Sequence, residues 1–152
     1  MSIEARIAEL GLTVPEPAKP VASYVSYVRS GNQVTISGQL SNDANGGIKG
    51  TVGVDVTPEQ ALEAARLCGL NLIAQIKAAC DGDLDRVVRI VKLGGFVQAG
   101  PDFTAIPAVI NGCSDMMVEV FGDAGKHARS AVGVYKLPLG FAVEIDAIVE
   151  IR

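Results

Sequence analysis

Residues 142–151 read AVEIDAIVEI. In an extended chain Val143, Ile145, Ala147, Val149 and Ile151 fall on one face, and Glu144, Asp146 and Glu150 fall on the other. Alternation of this kind specifies a strand with one face in a core and one face open. A sheet covered on one face needs helices, and two upstream segments have the right period. Residues 58–80 put Ala61, Ala65, Cys68, Leu72, Ile76 and Ala79 on one helical face. Thr57 can cap that helix, Pro58 suits its first turn, and Gln60 stands where a capping box takes Glu or Gln. Several inward positions are small, so this helix can approach its sheet closely. Residues 106–121 repeat the pattern with Val109, Ile110, Cys113, Met116, Met117 and Val120. The two methionines read as core filler rather than a cofactor-binding box.

The remaining strands follow from the same reading. Residues 22–29 (ASYVSYVR) and 33–40 (QVTISGQL) flank a turn at Ser30-Gly31-Asn32. Residues 41–53 are rich in Gly and Asn and read as a loop, and Gly82 is a stop for the first long helix. Residues 86–98 (RVVRIVKLGGFVQ) form a strand in which Gly94-Gly95 mark a bulge or a close backbone approach. Residues 129–137 (RSAVGVYKL) lead through Pro138-Leu139-Gly140 into the last strand, so the chain is expected to end in a hairpin. The order ββαβαββ predicts one α+β domain with helices on one face of a mixed sheet. Residues 1–20 are expected to form a short helix and an extended arm with Pro15, Pro17 and Pro20, and residues 21–152 the body.

Composition narrows the function. A chain of 152 residues fits one domain, and 49% hydrophobic residues with only 5% aromatics call for an aliphatic core. Lys and Arg number 13 against 17 Asp and Glu, a net charge of −4. No basic stripe can neutralise phosphates, so nucleic acid is not an expected partner. No apolar run approaches the roughly 20 residues that span a bilayer, and no polybasic anchor replaces one, so no membrane partner is expected. The opening MSIEARIAEL is charged and helical rather than an apolar signal region, which predicts a cytoplasmic protein. Three cysteines, Cys68, Cys80 and Cys113, form no disulfide framework and read as buried thiols. One histidine and no paired cysteines leave little for a metal site, and none is expected.

Candidate chemistry is concentrated near the C-terminus. His127 is the only histidine and reads as a surface residue or a pocket-rim group. The loop at 46–53 lacks the ending of a P-loop, and no dinucleotide fingerprint opens a helix. Arg129 heads an otherwise apolar strand, where alternation would put it with Ala131, Gly133 and Tyr135. Its guanidinium offers a planar fork suited to a carboxylate. Alternatively it snorkels to solvent, or pairs with Glu144 or Asp146 across the final hairpin. Glu144 likewise either lies on a solvated face or points into a cleft to position a water. Beside an arginine it would stay ionised more readily, and it could then take that water's proton.

Three stretches together resemble one family. VTISGQL at 34–40, HARSAVGV at 127–134 and LP…VEIDAIV at 137–149 are similar to the Ser-Gly-Gln strand, the arginine signature and the closing strand of the Rid family. This family is also called YjgF-like or L-PSP proteins. The resemblance runs from about residue 20 to the end, and INGCSDMM at 110–117 looks like a longer subgroup with poorly defined substrates. It implies a chorismate-mutase-like fold and a homotrimer with clefts between subunits. It also implies hydrolysis of small 2-imino acids, the enamine/imine intermediates, to 2-oxo acids and ammonia. On the same resemblance Arg129 grips the substrate carboxylate, Glu144 helps to place the attacking water, and Tyr24 lines the cleft. Ser37 matches the serine of its strand and Asn111 an asparagine near the second helix. Ala131 stands where the family often has Cys, so a thiol role is lost there while its backbone groups remain. This chemistry requires no metal or organic cofactor, since a positioned water hydrolyses imines readily. The alternative is a non-catalytic protein that binds small carboxylates in the same cleft.

Overall fold

The computed structural model describes residues 1–20 and 22–152; Val21, at the expected junction of arm and body, lies outside the described residues. The elements run α1 (Ile3–Glu9), β1 (Tyr27–Ser30), β2 (Gln33–Leu40), α2 (Pro58–Ala79), β3 (Val87–Gln98), α3 (Ile106–Phe121), β4 (Ala128–Val134) and β5 (Val143–Ile151). After α1 the order is ββαβαββ, as the hydrophobic periods predict. The expected box caps α2: Thr57 Oγ1 accepts from the Gln60 backbone N–H at 3.1 Å, and Gln60 Oε1 accepts from Thr57 N–H at 2.9 Å.

The five strands lie in the order β1-β2-β5-β3-β4. Only β3 and β4 are parallel, and every other neighbouring pair is antiparallel. The expected terminal hairpin does not form, because β3 lies between β4 and β5. The reason is topological. Helix α3 carries the chain from β3 over the covered face to a parallel neighbour, and parallel strands need such a crossover. Both edges of β5 are then taken by β2 and β3. The turn at Pro138–Gly140 exists, with Leu139 and Gly140 at φ 59° and 77°, but it carries the chain past β3 to the middle of the sheet.

Two strands are shorter than the sequence suggests. Only Ser26 of the segment before β1 joins the ladder, through Ser37 N–H to Ser26 C=O at 2.9 Å. Strand β4 stops at Val134, leaving Tyr135 86% exposed, so Tyr135 does not extend the Arg129 face. Gly94 and Gly95 mark close approaches rather than a bulge. The register shifts between β3 and β5 fall earlier, at Val87/Arg89 and Ile90/Lys92. A Cβ on Gly95 would come within 2.7 Å of the Ile110 side chain, and one on Gly94 would strike the Asp146 carboxylate.

Helices α2 and α3 pack on each other and on one face of the sheet, α2 over β2 and β5, α3 over β3 and β4. The core between them holds Leu72, Ile76, Leu93, Ile110, Met116, Met117 and Ile145, all fully buried, so the methionines fill space as expected. Helix α3 crosses α2 at Gly112, where an added Cβ would meet the Leu62 carbonyl oxygen and stand 3.1 Å from Ala65 Cβ. Backbone cannot rotate away as a side chain can. Gly112→Ala is therefore expected to destabilise the fold by about 1–3 kcal/mol, read from a lower denaturation midpoint at an unchanged slope.

Candidate functional site

The strand order leaves β4 with one neighbour, so one row of its backbone N–H and C=O groups faces outward. Arg129 sits near the start of this edge, paired in register with the buried Leu93, so its side chain leaves on the helical face. There its Nη1 donates to Asn111 Oδ1 at 2.8 Å and to Ser114 Oγ at 3.1 Å. Asn111 and Ser114 lie three residues apart on α3, the spacing that puts two side chains on one helical face. Ser114 Oγ in turn lies 2.9 Å from His127 Nε2, and His127 Nδ1 lies 2.6 Å from the Gly125 carbonyl oxygen. His127 is neither a free surface group nor a bare rim group. It is half-buried and tied to α3.

Four ion pairs form among the described residues, and Arg129 belongs to none of them. The pairing with Glu144 or Asp146 considered above is absent because no hairpin joins their strands. Glu144 lies on β5 between the fully buried Val143 and Ile145, and so points away from the helices, onto the open face. Within one chain the sheet therefore separates Glu144 from Arg129. An arginine neighbour does not hold this carboxyl ionised. Burial pushes its pKa up from the ordinary glutamate range, and the charge of Asp146 adds to the rise.

The other anticipated residues divide between the two faces. Asn111 meets Arg129 directly. Ala131, two residues along β4, is half-buried against the core. Ser37 Oγ donates to the Val25 carbonyl at 2.7 Å, which ties the segment holding the exposed Tyr24 to β2. Next to Ser37, Gly38 leaves the room that Glu144 occupies; a Cβ there would stand 2.8 Å from the Glu144 Cδ. One half-site is thus Arg129, Asn111 and Ala131 at the β4 edge. The other is Glu144 on the central strand β5, with Ser37 on the neighbouring β2 and the Tyr24 segment beyond it. Ser114 is a member that sequence reading passed over, although its three-residue spacing from Asn111 is visible in the chain.

The open face carries a hollow of about 360 Å³ lined by Thr35, Lys92, Gly94, Phe96, Asp146 and Ile148 among others. Asp146 is also raised by burial, against a Gly94 backbone hydrogen bond and Lys92, which lower it. A carboxyl whose folded pKa is raised stabilises the fold fully below its unfolded pKa and loses that contribution as pH rises through the folded value. Its ionised form opposes folding at neutral pH. Asp146→Asn is therefore expected to raise the thermal midpoint at pH 7, with the gain vanishing near pH 4, about the ordinary aspartate pKa. A gain that persists unchanged at the lower pH would contradict the cause given.

The thiols supply no nucleophile. Burial pushes Cys113 up to about 12 even with the Arg129 charge opposing it, and Cys68 is raised well above its ordinary value by burial first, then by Cys113. No described helix is long and apolar enough to cross a membrane.

Comparison with known proteins agrees with this architecture. Protein TCP17 of Trypanosoma cruzi is 48% identical over 99% of this chain and 94% of its own length. A crystal structure of the protein Atu1372 from Agrobacterium tumefaciens, of unknown function, superposes with a TM-score of 0.93 at 46% identity, covering 99% of this chain and 92% of the other. A 2-iminobutanoate/2-iminopropanoate deaminase of Dermatophagoides farinae is 29% identical over 93% of this chain and 95% of its own. Residues 4–148 match the family model described as "YjgF/chorismate mutase-like, putative endoribonuclease". With that match over nearly the whole chain, and with the sheet, helices and arginine-bearing edge described above, the chain belongs to the YjgF/chorismate mutase-like family.

Proposed function

We propose that this protein hydrolyses small 2-imino acids to 2-oxo acids and ammonia, in clefts between the chains of a homotrimer. The observation that carries this reading is the state of Arg129. Both hydrogens of Nη1 are committed to Asn111 and Ser114, no ion pair neutralises the guanidinium among the described residues, and the strand that bears it is an open edge. A half-buried cation held in this way suits a small carboxylate. The named deaminase relative supports the choice of substrate. The division of the candidate residues between two sheet faces supports a site completed by a second copy.

In this reading Arg129 grips the substrate carboxylate, and backbone groups near Ala131 hold the imine nitrogen. Glu144 of the adjoining copy holds a water and takes one of its protons as the C–O bond forms. Attack on the protonated imine gives a neutral carbinolamine, which takes that proton on nitrogen. Its hydroxyl then passes its own proton to the Glu144 carboxylate as the C–N bond breaks, and ammonia leaves with the 2-oxo acid. A carboxyl with a raised pKa suits this exchange, because its carboxylate is a stronger base toward water than an ordinary glutamate and its acid form can still return the proton to nitrogen. Positioning does most of the remaining work.

Freshly generated 2-iminopropanoate is the test substrate. Accelerated release of 2-oxopropanoate over the uncatalysed rate supports deamination. A second reading follows from Ala131, where the family often has Cys: a protein that binds 2-oxo acids without turnover. Calorimetric binding of 2-oxopropanoate with no acceleration of imine hydrolysis would favour it. A net charge of −4 argues against the ribonuclease activity that the family description names.

A further inference from the structure

We propose that Ser114 and His127 are positioning residues that fix Arg129 with its Nε–Nη2 edge turned to the substrate carboxylate. This rests on the reading of Arg129 given above. The direction of the network follows from what each atom can do. The Gly125 carbonyl oxygen only accepts, so His127 Nδ1, 2.6 Å away, carries the proton. In the neutral ring Nε2 is then an acceptor, and Ser114 Oγ, 2.9 Å away, donates to it. The Ser114 lone pairs are thereby left for Arg129 Nη1 at 3.1 Å, and Asn111 Oδ1 takes the second hydrogen of the same nitrogen at 2.8 Å.

The consequence is a choice of edge. A guanidinium can present either its two terminal nitrogens or the Nε–Nη2 pair to a carboxylate. With Nη1 spent on α3, only the second edge keeps two parallel donors, and neither of its nitrogens has a protein partner among the described residues. Without Ser114, Nη1 would keep Asn111 alone and the side chain could rotate about that one bond. Without His127, the Ser114 hydroxyl would lose its acceptor and could turn its own hydrogen toward the cation. The anchor therefore has two layers, and the outer layer touches no substrate.

The test uses the full chain and two readouts, steady-state hydrolysis of 2-iminopropanoate and calorimetric affinity for 2-oxopropanoate. Ser114→Ala is expected to raise KM and Kd about tenfold, the scale of one hydrogen bond to a charged group, with kcat little changed. His127→Ala should act in the same direction. Ser114→Thr and His127→Gln, which can keep the bonding groups, should restore affinity. In the Ser114→Ala/Arg129→Ala double variant the loss should not exceed that of Arg129→Ala alone. Wild-type KM and Kd in Ser114→Ala and His127→Ala, whatever their thermal midpoints, would overturn the inference while leaving the role of Arg129 intact. An Arg129→Ala variant that binds and turns over normally would remove the reading beneath it.

Discussion

Arg129→Ala is expected to lower kcat/KM for 2-iminopropanoate by about a thousandfold, the scale set by losing two charge-assisted hydrogen bonds to one carboxylate. The loss should appear in both KM and kcat. The carboxylate is the only charged handle on so small a substrate, and a misplaced substrate carries its C=N bond away from the water. Arg129→Lys should recover little, because an ammonium is a point charge and cannot reproduce a planar fork held by Asn111 and Ser114. The fold should tolerate the alanine. The side chain is half-buried and pairs with no carboxylate among the described residues, so its removal leaves no stranded negative charge. Circular dichroism and the thermal midpoint check that point.

Glu144→Gln carries the second large effect. The amide keeps the size and hydrogen-bonding reach of the side chain but cannot take a proton from water. A fall in kcat of about a hundred- to ten-thousandfold is expected, with KM close to that of the wild type. In the wild type the acid limb of the rate profile should lie above the ordinary glutamate range, because burial and then the neighbouring Asp146 raise this carboxyl. Protonation as pH falls through that raised value removes the base. In Asp146→Asn the limb should move to lower pH, since the second of those two causes is gone. A limb that stays in place would show that Asp146 does not act on Glu144.

The local pattern of the chain is legible wherever one side chain period decides the outcome. The alternation of Val143 to Ile151 and the helical stripes of α2 and α3 lead directly to the covered and open faces seen in the structure. The capping box at Thr57 and Gln60 is legible for the same reason, because all its atoms are supplied within four residues. What period cannot reveal is which edges meet. The pairing of β4 with β3 rather than β5 depends on where α3 returns the chain, a contact remote in sequence. Misreading that pairing also misplaces Arg129 relative to Glu144 and Asp146. Ser114 is passed over for a related reason, since its spacing from Asn111 alone assigns it no role. A serine in mid-helix has no distinctive pattern until its two partners, Arg129 at the start of β4 and His127 just before it, are brought over it.

The assignment of residues to chains is open to a direct test. Arg129→Ala and Glu144→Gln subunits, each inactive alone, are unfolded, mixed in equal amounts and refolded together. If every cleft draws Arg129 from one chain and Glu144 from its neighbour, some mixed clefts contain both native residues. Random assembly then restores about a quarter of wild-type activity. A mixture that assembles and refolds fully yet stays as inactive as its parents would contradict a cleft shared between chains.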